Sequence, residues 1–200
     1  MLITVASFKG GVGKTTTAMH LAAFLQTQAP TVLFDSDRTR NALAWASRGN
    51  LPFHVAPFGQ ALKLGPQYVH KVIDTGQRPE DMDFKEQAEQ SDLLVIPAEP
   101  GALENDSLML SLQALIEMGV TNFRVLIVQD PPPPEPEGIE LRAQLEAEGV
   151  PMFETAIPRV KAFRHAAKAG VTVDAYTSDP RAKRGWMAYQ AVGREVLTHG

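Results

Sequence analysis

Lys9-Gly10-Gly11-Val12-Gly13-Lys14-Thr15-Thr16 combines the residue types and the spacing that phosphate chemistry requires. Glycines let a backbone curl until successive N–H groups point inward, and at the start of a helix such a curl becomes an anion nest. Amides from Gly10, Gly11, Val12, Gly13, Lys14, Thr15 and Thr16 would line it. Lys14 would reach the outer phosphates as a point charge, and the Thr15 hydroxyl would join a Mg²⁺ ion beside them. The usual pattern places glycine five residues before Gly13; Phe8 stands there instead, followed by an extra lysine, Lys9. Three carboxylates complete the set. Asp35 and Asp37 close an apolar run as Phe34-Asp35-Ser36-Asp37, and Asp74 closes another as Val72-Ile73-Asp74-Thr75. Carboxylates at the carboxyl ends of strands lie where open α/β sheets bind ligands. A helix cap, a solvated loop or a turn cap would explain the same aspartates without chemistry.

The elements that must hold these residues alternate between short apolar runs and helical patterns, which predicts an α/β fold: one domain over 1–200, doubly wound, with a mostly parallel sheet and helices on both faces. Strands are predicted at Leu2–Ser7, Thr31–Phe34, Phe53–Ala56, Tyr68–Ile73, Asp92–Ile96, Phe123–Val128 and Met152–Ile157, with a short Val171–Val173 segment. Helices are predicted at about 14–28, 104–118, 138–148, 161–169 and 181–197, the second turning Leu108, Leu112, Leu115 and Ile116 to a core. Pro131–Pro134 and Pro136 make a stiff extended loop, read as a rim of the ligand pocket. Trp45 and Phe58 read as core or interface residues, and His20 as packed or capping; the other histidines lack metal-ligand spacing.

With Lys9 before the glycine pair and the aspartates on these strands, the sequence resembles the ParA/MinD family of deviant Walker-A ATPases, in its partition and cargo-positioning branch. Ala98-Glu99-Pro100 after the fifth strand, Ala156-Ile157-Pro158-Arg159, and Ala166 to Val171 extend the likeness. The resemblance implies Mg-ATP as cofactor and substrate, with Lys9 reaching across a dimer to the opposite nucleotide. It implies Lys14 on the subunit's own phosphates, Asp37 positioning the attacking water, Asp35 with Thr15 and Asp74 on the magnesium side, and the backbone near Pro158 against the base. Family members often continue the first aspartate pair with Pro-Gln-Gly-Asn, whereas Arg38-Thr39-Arg40-Asn41 follows here; prolines often follow the last aspartate, whereas Gly76 comes next and Pro79 late. An asparagine often found after the sixth strand is replaced by Gln129-Asp130.

Composition narrows the rest. Cysteine is absent, so disulfides and iron–sulfur sites are excluded, and with them the nitrogenase-reductase branch. No apolar run reaches membrane-spanning length and no secretory signal opens the chain, so a soluble, cytoplasmic protein is expected. The expectation also includes neither an N-terminal DNA-reading domain nor a C-terminal membrane helix, since the last helix offers Trp186, Tyr189, Val192 and Val196 as docking residues. Net charge is −4, so no global field attracts nucleic acid, yet Arg159, Lys161, Arg164, Lys168, Arg181, Lys183 and Arg184 face only Asp174 and Asp179 in their segment. Lys161, Arg164, Lys168, Arg181, Lys183 and Arg184 are therefore the candidate DNA contacts. Taken together, the expected protein partitions or positions a cargo: an ATP-dependent homodimer on the nucleoid that binds DNA nonspecifically and hydrolyses slowly under a small adaptor protein, with no membrane. The competing readings are a metabolic phosphotransferase or ligase of the dethiobiotin-synthetase kind, and a module that binds ATP without hydrolysing it.

Overall fold

The structure, a computed structural model, describes residues 1–76 and 81–199. Six strands, β1 (Leu2–Val5), β2 (Thr31–Asp35), β3 (His54–Pro57), β4 (His70–Asp74), β5 (Leu93–Ala98) and β6 (Phe123–Ile127), form one sheet in the order β3-β2-β4-β1-β5-β6, all parallel. The helices are α1 (Lys14–Gln26), α2 (Asn41–Ala46), α3 (Ala61–Leu64), α4 (Asp81–Glu89), α5 (Ala102–Glu117), α6 (Glu137–Ala147), α7 (Ala162–Ala169) and α8 (Ala182–His199). Pro79, the late proline of the second aspartate segment, lies outside the described residues.

Side chains alternate across the strands, so both faces of the sheet are apolar, as parallel strands require. Ile3, Val5, Leu93, Val95 and Leu126 point into one core with Leu21 and Leu25 of α1, Trp45 of α2 and Tyr189, Val192 and Val196 of α8. Leu94, Ile96, Phe123, Val125 and Ile127 point into the other, with Phe84 of α4, Leu112 and Leu115 of α5, and Leu141 and Leu145 of α6. The doubly wound α/β sheet expected from the alternating runs is thus present. One side chain differs from expectation: Ile116 is 41% exposed and does not belong to a core. Phe58, expected in a core or an interface, is 45% exposed and so not in a core.

One predicted strand, Met152–Ile157, does not form. Residues 152–157 run parallel beside β6 without a continuous ladder: isolated bridges join Met152 to Val125 and Pro158 to Asp130, and the amides of Phe153 and Ile157 donate to the Val125 and Ile127 carbonyls at 3.0 and 2.9 Å. Flanking prolines break the ladder, and the amides of Glu154 and Thr155 donate to the Glu195 carboxylate of α8 at 2.7 and 3.1 Å. Val171–Val173 is an irregular turn with its backbone committed elsewhere: the Val171 carbonyl accepts from Trp45 Nε1 at 3.1 Å, and the Val173 amide donates to His20 Nε2 at 3.1 Å.

The register fixes the site. Val5 lies level with Asp74, and Asp74 level with Asp35, so the carboxyl ends of β1, β4 and β2 stand side by side where the glycine-rich loop leaves β1.

Candidate functional site

The loop turns into α1 through Gly13, whose φ of 86° lies in the left-handed region; Gly11, at 85°, does the same just before it. A side chain there would be strained, and a chain held this way aims its amides inward. The Thr17 amide closes the first helical turn on the Gly13 carbonyl at 2.8 Å. Lys14 is only 6% exposed. Burial lowers its pKa, while the negative charges of Asp74 and Asp37 pull it back up and keep the cation in place. Lys9 is exposed, and its carbonyl accepts from Ser7 Oγ at 2.7 Å, which fixes the start of the loop. Phe8, at the position where glycine is usual, stacks on Phe84 with ring centroids 4.1 Å apart, binding the loop to α4.

Each aspartate has a distinct environment. Thr15 Oγ1 donates to Asp74 Oδ2 at 2.7 Å, while Asp74 Oδ1 is buried without a hydrogen-bond partner among the described residues. Burial pushes the Asp74 pKa up to about 7, with Asp35 and Asp37 adding to the rise and Thr15 and Lys14 opposing it. A buried carboxylate oxygen with nothing to bind, next to a hydroxyl and a phosphate nest, fits a hard cation. Asp35 is tied to backbone: its two carboxylate oxygens accept from the amides of Asp37 and Leu43, each at 3.0 Å. Asp37 is 5% exposed, and its Oδ1 accepts from the Thr39 amide at 2.8 Å. Among the described residues no three acidic or histidine side chains converge as a metal site, so a cation would depend on Thr15, Asp74 and the phosphates themselves.

On one side of the loop, Gly11, Gly13 and Thr16 open into a cavity of about 530 Å³ whose far walls are Gln129, Ile157–Lys161, Phe163 and Tyr189. Pro158 lies in that wall, beside the loop as expected. Gln129 has a left-handed φ of 55°, and its amide nitrogen donates to Glu99 Oε2 at 2.9 Å. The proline run does not border the cavity; it carries the chain away to α6. On the other side, Phe8, Lys9, Val12, Glu99, Ser107 and Leu108 surround a second hollow of about 440 Å³.

The cationic segment divides. Lys161, Arg164 and Arg181 stand at the rim of the first cavity, and Lys168, Lys183 and Arg184 are exposed on α7 and α8. Arg181 is already engaged, with Nε 3.0 Å and a terminal nitrogen 3.1 Å from the two Asp179 oxygens. Arg40, Phe8 and Phe84 were not among the expected site residues. The position of Arg40 in a segment that often carries glycine was a usable signal; the Phe8–Phe84 stack, 76 residues apart in sequence, had none.

Comparison with known proteins agrees with this geometry. The sequence model of the CobQ/CobB/MinD/ParA nucleotide binding domain matches residues 3–173. Maintenance of carboxysome distribution protein A from Gloeobacter kilaueensis is 31% identical over 179 residues, 86% of this chain and 83% of that protein. Among solved structures, an ATP complex of Cyanothece McdA superposes with a TM-score of 0.71 at 17% identity, covering 96% of each chain. The septum site-determining protein MinD of Pyrococcus horikoshii, complexed with Mg-ADP, gives 0.66 at 16% identity, covering 98% of this chain and 95% of that one.

Proposed function

Because this chain belongs to the CobQ/CobB/MinD/ParA nucleotide-binding family, we propose that it is a ParA-type ATPase: it binds Mg-ATP, closes as a dimer around the nucleotide, binds DNA without sequence preference and hydrolyses slowly under an adaptor protein to position cargo. The observation that carries this reading is the Thr15–Asp74 hydrogen bond, with its unpartnered buried oxygen, set against a glycine cradle flanked by Lys9 and Lys14. The relative named for carboxysome distribution supports cargo positioning as the use of the hydrolysis.

In this reading the triphosphate lies on the amides of Gly10 to Thr16, with Lys14 on its outer phosphates and the nucleoside in the cavity beside Pro158. Magnesium, when bound, would neutralise charge on the outer phosphates; Thr15 and Asp74 would hold it. Asp37 orients a water for in-line attack on the γ-phosphorus; the bond to the β-phosphate oxygen breaks and ADP and phosphate leave. Asp35 keeps the segment 36–43 in shape so that Asp37 can do this, and its charge supports the magnesium side from beside Asp74. Lys9 serves the nucleotide of the opposite subunit. DNA phosphates fall to Lys161, Arg164, Lys168, Lys183 and Arg184, with Arg181 contributing least because Asp179 neutralises it. Among the described residues no helix is long and apolar enough to cross a membrane, and a cytoplasmic, nucleoid-associated protein follows from the DNA reading.

Light scattering on Asp37→Ala tests the proposal. The variant should keep ATP and accumulate as a dimer with Mg-ATP, and duplex DNA should shift with ATP but not with ADP, less so at higher salt. A variant that stays monomeric in saturating Mg-ATP would sink the dimer model, and a DNA shift indifferent to nucleotide would sink the DNA reading.

A further inference from the structure

Behind the wall of the nucleoside cavity sits a buried histidine that the phosphate chemistry does not use. His20 lies on α1 one turn after Thr16 and is fully buried. The Val173 amide donates to its Nε2 at 3.1 Å, so that nitrogen carries no proton. Nδ1 therefore carries it and donates to the Thr16 carbonyl at 2.7 Å. Burial agrees with a neutral ring, pushing its pKa down to about 4.

Around this one imidazole four helices meet. The ring stacks on Tyr189 of α8 at 4.8 Å and meets Phe163 of α7 edge-on at 5.1 Å and Trp45 of α2 at 6.0 Å. Tyr189 Oη is 3.1 Å from Thr17 Oγ1 of α1, and Trp45 Nε1 reaches the Val171 carbonyl at 3.1 Å. Two of these partners, Phe163 and Tyr189, also line the nucleoside cavity. Their helices carry exposed cations: Arg164 at the cavity rim and Lys168 on α7, Lys183 and Arg184 on α8.

We propose that His20 is a positioning residue that couples filling of the nucleoside cavity to the placement of the cationic face of α7 and α8. A nucleoside packed against Phe163 and Tyr189 removes freedom from the two rings, and His20 holds those rings and the 171–173 turn to the start of α1. The helices then settle in one arrangement relative to the phosphate loop, and the spacing of their cations settles with them. The inference rests on the DNA reading above only for its consequence, since the coupling itself is a property of the fold.

Two variants separate these. His20→Phe keeps an aromatic ring and deletes both hydrogen bonds; His20→Gln keeps an acceptor for the Val173 amide. Circular dichroism confirms that each folds, and His20→Gln carries the same comparisons if His20→Phe does not. Hydrogen exchange across 161–184 is followed with and without a nonhydrolysable ATP analogue, and duplex-DNA affinity by fluorescence anisotropy under the same two conditions. In the wild type the analogue should slow exchange across 161–184 and tighten DNA binding. In His20→Phe the exchange effect should vanish and the ATP enhancement of DNA affinity should fall about tenfold, while analogue affinity without DNA holds within about threefold. His20→Gln should recover part of both. Wild-type exchange that ignores the analogue, or a folded His20→Phe that retains the full effect, overturns the coupling. An exchange effect that depends on His20 beside a DNA affinity that ignores nucleotide leaves the coupling standing and removes the DNA reading.

Discussion

Arg40 holds a left-handed backbone, φ 53° and ψ 39°, at the place where the resembling switch segment often has glycine. A non-glycine residue there costs about 1–2 kcal/mol, and the guanidinium offsets this by donating to the Asp35 carbonyl at 2.7 Å. Arg40→Ala keeps the strain and loses the bond, so urea unfolding should show a loss of about 1 kcal/mol. Arg40→Gly loses both bond and strain and should stay within about 0.5 kcal/mol of wild type. Lys14→Ala removes the buried cation of the phosphate nest and should abolish nucleotide binding in a titration with a fluorescent ATP analogue. His20 sets a pH dependence. Its folded pKa of about 4 lies below the usual 6.5, so the unfolded chain takes the proton first as pH falls. The stability present above pH 6.5 is lost between 6.5 and 4, by about 3 kcal/mol. Subtracting the pH profile of His20→Gln from that of the wild type, by thermal unfolding, isolates this contribution from the opposite one of Asp74. The phosphate loop was legible because its chemistry is local in sequence: Gly11, Gly13, Lys14 and Thr15 fall within five residues. The partners of Phe8 and His20 were not, because Phe84, Val173 and Tyr189 reach them only through the fold.

At the scale of elements, β1, β5 and β6 were legible because strands buried on both faces read as near-continuous apolar runs, interrupted only by Thr4 in β1 and Arg124 in β6. The short helices α2 and α3 were not. Neither has a capping side chain, and α2 starts from the left-handed Arg40 rather than from a serine, threonine or aspartate. Residues 152–157 show the limit from the other side: an apolar segment with strand character is kept out of regular pairing by Pro151, Pro158 and the Glu195 carboxylate. Helix seams also depend on what is missing. The ends of α2 and α7 cross backbone to backbone at Gly49 and Gly170; a Cβ on Gly170, whose φ is 74°, would collide with the Gly49 backbone. Gly170→Ala therefore combines strain with a clash against backbone that cannot swing away. A loss of about 3 kcal/mol in denaturant unfolding is expected, several times that of an exposed helical glycine.

For the whole molecule the relevant quantity is where charge lies, not its total. A net charge of −4 gives no general attraction to nucleic acid, so the DNA binding proposed above would have to come from the α7–α8 face and would fall steeply with salt. Replacing Arg164 or Lys168 by alanine should flatten the plot of log affinity against log salt by about 1 for each phosphate that the variant no longer neutralises. Arg181→Ala should leave that slope nearly unchanged, because Asp179 already holds its guanidinium; anisotropy titrations at several salt concentrations distinguish the two. The same view gives weight to Glu195. Strand rims recruit other strands, and molecules crowded together on one scaffold meet rim to rim often. By accepting from the Glu154 and Thr155 amides beside β6, this carboxylate takes away two of the donors that a neighbouring strand would need to zip onto that rim. Glu195→Ala reopens that rim, and its solutions should turn turbid with time at concentrations where the parent stays clear.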